Sequence, residues 1–399
     1  MHKRIPAKEL RIGMYLHELC GSWMQHPFWQ SKFEIKDQAT IKTILDSHIE
    51  EVVIDTDKGL DIEVPQPKVV KPVVSAPKPI PKPVEVSIEH EMEQATKICA
   101  KAKDAVSSMF HEVRMGKTMD ATEAVAMVEE ISASVMRNPS ALISLARLKT
   151  KDDYTYMHSV AVCALMVSLS KQLGLDKETT RQAGVAGLLH DIGKMAIPTE
   201  VLDKPGKLTP EEFIIIQGHP MAGYNILLEA KGAPESALDV ARHHHEKIGG
   251  GGYPDKLING QISQLARMGA VCDVYDAITS NRPYKEGWDP SESLKRMATW
   301  QGHFDETIFQ SFVKSIGIYP IGSLVRLESG RLAVVIDQSK KSLTTPKIKI
   351  FFSSKASRYI PPEVLDLSRV PCNDKIVSRE DPKVWNFANL NELWASALD

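Results

Sequence analysis

Six of the chain's 13 histidines fall between positions 158 and 245, and most stand beside a charged or turn-forming neighbour: His158-Ser159, His190-Asp191, His219-Pro220 and the triplet His243-His244-His245. Imidazoles joined by carboxylates, with no thiolate among them, make a hard-to-borderline nitrogen and oxygen donor set. Such a set suits Mn²⁺ or Fe²⁺ and permits Zn²⁺ or Ni²⁺. A structural zinc site would want cysteines, and none is in place. A carboxylate next to a histidine, as in Asp191, can bridge two cations a few Å apart, and such a pair lowers the pKa of a shared water while clamping phosphoryl oxygens. The chemistry implied is phosphoester hydrolysis.

Residues that do such work need rigid supports. Residues 183–194, AGVAGLLHDIGK, begin as a nearly uncharged run of small and apolar residues, the mark of a helix buried all round, and end in His190, Asp191 and Lys194. Continued as one helix, the run sets Lys194 four residues after His190 and three after Asp191, so the ammonium shares their face. The second stretch, RHHHEKIGGGGYP at 242–254, closes in a glycine run that lacks the strand and helix of a phosphate cradle and reads as a mobile loop at the edge of a site.

Residues 140–316 read as helical throughout, broken at Asp152-Asp153, Gly174, Pro198, Gly206, Pro234, the glycine loop and Pro283. Before them, Ile88, Met92, Ala95, Cys99, Ala102, Val106, Met109 and Val113 recur at helical steps, and a second helix opens at Asp120 with Glu123 in a capping-box-like start, running to Asn138-Pro139. This makes residues 88–139 a helical subdomain packed on the core, with a homodimer through the helices at 88–137 as the alternative. Residues 65–83 hold seven prolines, four lysines and no glycine, a semi-rigid polyproline spacer, so residues 64–87 are a linker. Residues 1–63 mix short apolar runs with turns in a small α+β module, whose Trp23, Phe28, Trp29 and Phe33 read as core. Residues 317–399 form a β appendage, with strands expected at 323–326, 332–336 and 347–352 and a hairpin turn at Ser329-Gly330. The fold class is mainly α.

A formal charge of -2 argues against polymeric nucleic acid or a membrane surface as a partner. Five scattered cysteines without a CxxC pair fit a reducing compartment, and no apolar run reaches membrane-span length, so the chain is expected to be cytoplasmic.

Residues 158–312 resemble the HD-GYP family, the bacterial cyclic di-GMP phosphodiesterase branch of the HD hydrolases. The matching text is His158-Ser159, LLHDIGK (188–194), KPGKLTPEE (204–212), His219-Pro220, His244-His245-Glu246, Gly252-Tyr253-Pro254, CDVYDAITSNRPYK (272–285) and GHFDE (302–306). Their order and spacing make a chance match negligible. Residues 1–63 resemble a small accessory domain often joined to such enzymes. The resemblance implies an all-helical catalytic domain with metal ligands at His158, His190, Asp191, His219, His244, His245 and Asp273, Asp191 bridging. It places Lys194 against the scissile phosphate, Tyr253 on a loop lining the site, and Arg282 and Lys285 on the ligand's phosphates and guanines. His243 and the cysteines Cys163 and Cys272 are bystanders in this reading, His303 and Asp305 fix a helix start, and Glu246 is expected to hydrogen-bond a ligand histidine.

Two positions depart from the family. Gly249 stands where Asp or Asn is usual, removing a side-chain anchor from the Tyr253 loop and putting its rigidity in doubt. Tyr154 stands where members with a third metal carry glutamate, so two metals are expected. The implied reaction opens cyclic di-GMP to linear pGpG by a hydroxide shared between the metals, with either pGpG or GMP as the end product. The rival readings are a cyclic di-GMP receptor without turnover and an HD hydrolase of another nucleotide.

Overall fold

Apolar side chains gather into separate cores on the two sides of residue 80, in units of residues 1–80 and 81–399. The computed structural model describes residues 2–20, 32–46, 49, 51–61, 88–147, 154–280, 287–339, 342–369, 372, 374–387 and 390–395. Trp23, Phe28, Trp29, the spacer and the break at Asp152-Asp153 lie outside them, as do Arg282 and Lys285.

In the first unit, strands β1 (His2–Pro6), β2 (Tyr15–Cys20), β3 (Phe33–Glu34) and β4 (Glu51–Asp55), with helix α1 (Gln38–Asp46), form an antiparallel sheet of order β1-β4-β2-β3. Alternation turns Ile5, Leu16, Val52 and Ile54 inward, where they meet Ile41 and Ile44 of α1, and Phe33 packs against the same core. The strand pairing slips at one place: Leu16 faces Ile54 and Glu18 faces Val53, leaving His17 as the extra residue of a bulge.

The second unit begins with α2 (Ile88–Arg114), whose Met92, Ala95, Cys99, Ala102, Val106 and Met109 are buried at helical spacing. Its buried Glu91 accepts hydrogen bonds from Ser134 Oγ and Arg137 Nε, each at 2.7 Å, tying it to α3 (Thr122–Arg137). The capping box expected at Asp120 is absent: α3 is capped by Ala121 without a side-chain bond, and Asp120 accepts instead from the Thr122 amide in a local turn at 2.9 Å. After Asn138, α4 (Pro139–Arg147) leads to α5 (Tyr154–Leu173), buried all round from Met157 to Ser170, and Asp176 caps α6 (Lys177–Leu189).

α6 does not run on to Lys194. The chain leaves the helix at His190, passes Asp191 at φ -102 and ψ 8, and tightens into a 3-10 turn, Ile192–Ala196. The cause is Gly193, where a side chain would meet the His219 carbonyl at 1.9 Å and the Gly223 amide at 2.3 Å. Only glycine lets the turn dock on α9 (His219–Glu229), which follows α7 (Thr199–Leu202) and α8 (Pro210–Ile216). The helices continue as α10 (Glu235–His243), α11 (Gln264–Thr279), α12 (Pro290–Thr299) and α13 (Glu306–Ile316), the last capped by Asp305, which accepts from Ile308 N at 2.9 Å.

The tail is wider than the three strands expected. β5 (Leu324–Leu327), β6 (Arg331–Asp337), β7 (Lys347–Ser353), β8 (Arg358–Asp366) and β9 (Ile376–Arg379) form one antiparallel sheet of order β8-β7-β6-β5-β9, followed by α14 (Pro382–Trp385) and α15 (Glu392–Ala395). Val325, Ala333, Val335 and Ile348 join the same core as the helices. Cys99, Cys163 and Cys272 are buried in the helical unit as packing residues.

Candidate metal centre

His158 sits in the early turns of α5, Asp273 on α11, His219 at the first position of α9, and His190 and His244 where α6 and α10 end. Four of these imidazoles share one orientation. Nδ1 of His190 donates to Gly187 O at 2.8 Å, that of His219 to Ile216 O at 2.7 Å, and that of His244 to Val240 O at 2.9 Å. His158 Nδ1 donates to Asp276 Oδ2 at 2.6 Å. Carbonyl and carboxylate oxygens only accept, so each Nδ1 carries the hydrogen and each Nε2 is turned inward as a donor to a cation.

The inward atoms converge on Asp191. Its Oδ2 lies 3.3 Å from His190 Nε2 and 3.4 Å from His158 Nε2, while its Oδ1 lies 3.3 Å from His219 Nε2 and 3.8 Å from His244 Nε2. Asp273 Oδ1 stands 3.0 Å from His158 Nε2, and its Oδ2 is 3.9 Å from His245 Nδ1. Donor atoms of His158, His190 and Asp273 lie within 4.8 Å of one another, as do those of His219, His244 and His245, and those of His190, Asp191 and His244. All seven residues named from the sequence therefore meet in one cluster.

The donors fit a metal. His190 Nε2 and Asp191 Oδ1 are buried without a hydrogen-bond partner, and Nε2 of His219 faces Nε2 of His244 at 3.3 Å, two lone-pair atoms with no hydrogen to share. A divalent cation satisfies such atoms, and the nitrogen and oxygen donors match a borderline ion. Burial presses the Asp191 carboxyl upward, but Lys194 and His190 beside it outweigh burial and hold it well below the usual range. Burial lowers His190, yet Asp191 outweighs it and raises that imidazole to about 10. Burial, with the neighbouring imidazoles, takes His244 well below its ordinary value, and burial takes His245 to about 3. Both imidazoles are neutral at any ordinary pH, the form that binds a cation.

Lys194 Nζ reaches Asp191 Oδ2 at 2.5 Å across the 3-10 turn, with its side chain 23% exposed at the edge of the cluster. The turn places it over Asp191 alone, not over His190 and Asp191 along one helix face. Tyr253 stacks on His245 with ring centroids 4.7 Å apart. Tyr154 lies parallel to His158, centroids 5.9 Å apart, offering a ring where a carboxylate would offer a third donor site. Arg282 and Lys285 are outside the described residues; farther along the chain, Trp288 N donates to Ile278 O of α11 at 2.7 Å.

Glu246 does not bond a histidine. Its carboxylate accepts from the backbone of Asp255 at 2.7 Å and of Leu257 at 3.1 Å, bracing the glycine loop from within. His243 has the same task from outside, between Asp239 at 2.7 Å and Asp255 at 3.1 Å. Gly249 N donates to Gly302 O at 2.8 Å, and a side chain at Gly249 would stand 3.2 Å from that oxygen. A backbone bond thus holds the loop where a side-chain anchor is usual. His303 stacks on Phe304 and packs beside Trp300 instead of capping α13.

Two residues were not singled out from the sequence. Asp276 orients His158, and its spacing of three from Asp273 on one helix was the signal. Arg114, ending α2, donates to Lys194 O at 3.3 Å and Thr199 Oγ1 at 2.7 Å; no local pattern announces it.

Residues 135–308 match the family described as HD domain, and residues 2–124 match a domain of unknown function, DUF3391. A cyclic di-GMP phosphodiesterase of Pseudomonas aeruginosa is 52% identical over 398 residues, 99% of this chain and 96% of that protein. A 3'3'-cGAMP-specific phosphodiesterase of Vibrio cholerae is 35% identical over 167 residues, 41% of this chain and 38% of its own length. A solved HDG"Y"P protein from Bdellovibrio bacteriovorus aligns over 79% of this chain and 99% of its own, at 16% identity and a TM-score of 0.48. Among the described residues, no helix is long and apolar enough to cross a membrane.

Proposed function

The chain belongs to the HD-GYP family of cyclic di-GMP phosphodiesterases, within the HD hydrolases, and we propose that it opens cyclic di-GMP to linear pGpG by water attack on phosphorus. The observation that supports this most is the division of Asp191 between two histidine groups, Oδ2 toward His158 and His190 and Oδ1 toward His219 and His244. Such a carboxylate suits two cations. His158, His190 and Asp273 would hold one and His219, His244 and His245 the other. Two divalent ions there, iron or manganese with zinc or nickel permitted, would offset charge on the phosphoryl oxygens and acidify a water between them.

The chain's own residues supply position and field. Hydrogen bonds to Gly187, Ile216, Val240 and Asp276 hold four imidazoles in place before substrate arrives, so little reorganisation accompanies reaction. Lys194 would set its ammonium beside the scissile phosphate, where charge grows as the bond to the 3′ oxygen breaks. Tyr253 would border the ligand, and Arg282 and Lys285 would hold its phosphates and guanines. Asp191 steers Lys194 and would stand between the cations, which would couple the charge of the site to its geometry.

The test is metal analysis together with chromatographic identification of products, on protein purified without chelators. Two metals in the cluster around Asp191 and pGpG as first product are expected, with GMP appearing later if pGpG is cut again. Binding of cyclic di-GMP without turnover would favour a receptor. The similarity to the Vibrio 3'3'-cGAMP phosphodiesterase gives the second reading its basis: faster turnover of the hybrid dinucleotide would make that the substrate.

A further inference from the structure

We infer that the N-terminal module carries a metal site of its own, formed by His2, His17 and Asp55 and suited to a late divalent transition ion such as Zn²⁺. Nothing in the phosphodiesterase reading requires this site, and it stands or falls separately.

Three features of the sheet build it. His2 of β1 and Asp55 of β4 are direct cross-strand partners, so their side chains share one face. His17 is the bulged residue of β2, on the other side of β4, and a bulge re-aims the side chain it carries. The result is convergence across the middle strand. Although β1 and β2 are separated by β4, the imidazole centroids of His2 and His17 lie 3.8 Å apart. One donor atom from each of the three residues falls within 4.8 Å of the others.

Asp55 is the unusual member. Strand alternation sends Val52 and Ile54 to the core and Asp55 away from it, where a carboxylate is ordinarily wet. Here it is 6% exposed. Its Oδ1 accepts from Asp57 N at 3.2 Å, and its Oδ2 lies 3.7 Å from His2 Nε2 and 4.0 Å from Lys58 Nζ.

Two imidazoles and one carboxylate are the donors of an open zinc site, with solvent completing the coordination from the exposed side. Lys58, whose side chain is 63% exposed, is a cation that opposes a dication there.

The experiment titrates Zn²⁺ into the full-length chain after chelator treatment and counts ions bound, comparing the native chain with His17→Gln and His2→Gln. Each variant should bind one Zn²⁺ fewer per chain, while manganese-loaded protein hydrolyses cyclic di-GMP at the native rate. Lys58→Ala should bind that ion several-fold more tightly. His2 is largely exposed, so His2→Gln decides the matter even if His17→Gln fails to fold. Equal stoichiometry in the native chain and His2→Gln, or unchanged affinity in Lys58→Ala, would overturn the inference.

Discussion

Asp276 Oδ2 accepts the Nδ1 hydrogen of His158 at 2.6 Å, behind the face that His158 turns toward Asp191 and Asp273. The bond selects the tautomer and aims Nε2. Asp276→Ala is therefore expected to weaken metal binding about 10–100-fold, with the fold intact. Asp276→Asn keeps an accepting oxygen and should fall between. Metal titration of stripped protein reads both, and native affinity in Asp276→Ala would remove the orienting role.

Asp191 and Lys194 touch but should fail differently. His190→Ala and Asp191→Ala each remove an inward donor, so bound metal should fall along with hydrolysis. Lys194→Ala should keep its metal and lose most turnover, because its assigned contact is the phosphate. Metal analysis beside single-turnover rates separates the two. Full activity at unchanged metal content in Asp191→Ala would end the metal-centre reading.

What was legible and what was not follows from which forces are local. The uncharged run before His190 gave away a buried helix, because burial on every side leaves its mark in each residue. The departure from that helix at His190 did not, since it depends on Gly193 meeting His219 and Gly223 from a segment some 30 positions away. Glu246 was assigned to a histidine because it adjoins two; only the fold-back of Asp255 and Leu257 shows that its acceptors serve the loop. β8 escaped notice because Pro361 and Pro362 argue against a strand, yet β8 is an edge strand of its sheet, where a missing N–H costs little.

A chain beginning at Ser87 should keep hydrolysis, because all seven clustered residues and α2 belong to the second unit. Starting instead at Asp120 would strip α2 from the core, at about 1.5–3 kcal/mol for each large buried side chain lost, such as Met92, Val106, Met109 and Phe110. That shorter chain is expected to aggregate. A subtler change is Arg114→Gln, which frees the Lys194 carbonyl and Thr199 from the end of α2. Turnover should drop roughly three- to tenfold, the scale of one partly exposed charge-assisted bond, with metal content and melting temperature unchanged. Native turnover in this variant would show that α2 does not position the Lys194 turn.

Arg282 tests whether the chain recognises a dinucleotide or merely offers metal chemistry. It stands nine residues after Asp273, beyond the end of α11 at Thr279 and before Trp288, whose amide returns to Ile278 of the same helix. If Arg282 grips the phosphates of cyclic di-GMP, Arg282→Ala should weaken binding by roughly 1.5–3 kcal/mol, the worth of a charge-assisted contact. Hydrolysis of bis(p-nitrophenyl) phosphate, which lacks the second phosphate and both guanines, should barely change, because the metal ligands are untouched. Calorimetric binding of cyclic di-GMP beside the rate on the small diester gives the answer. Equal losses on both would make Arg282 a support of the metal centre. No loss on either would place it outside the ligand pocket and strengthen the reading in which another nucleotide is the substrate.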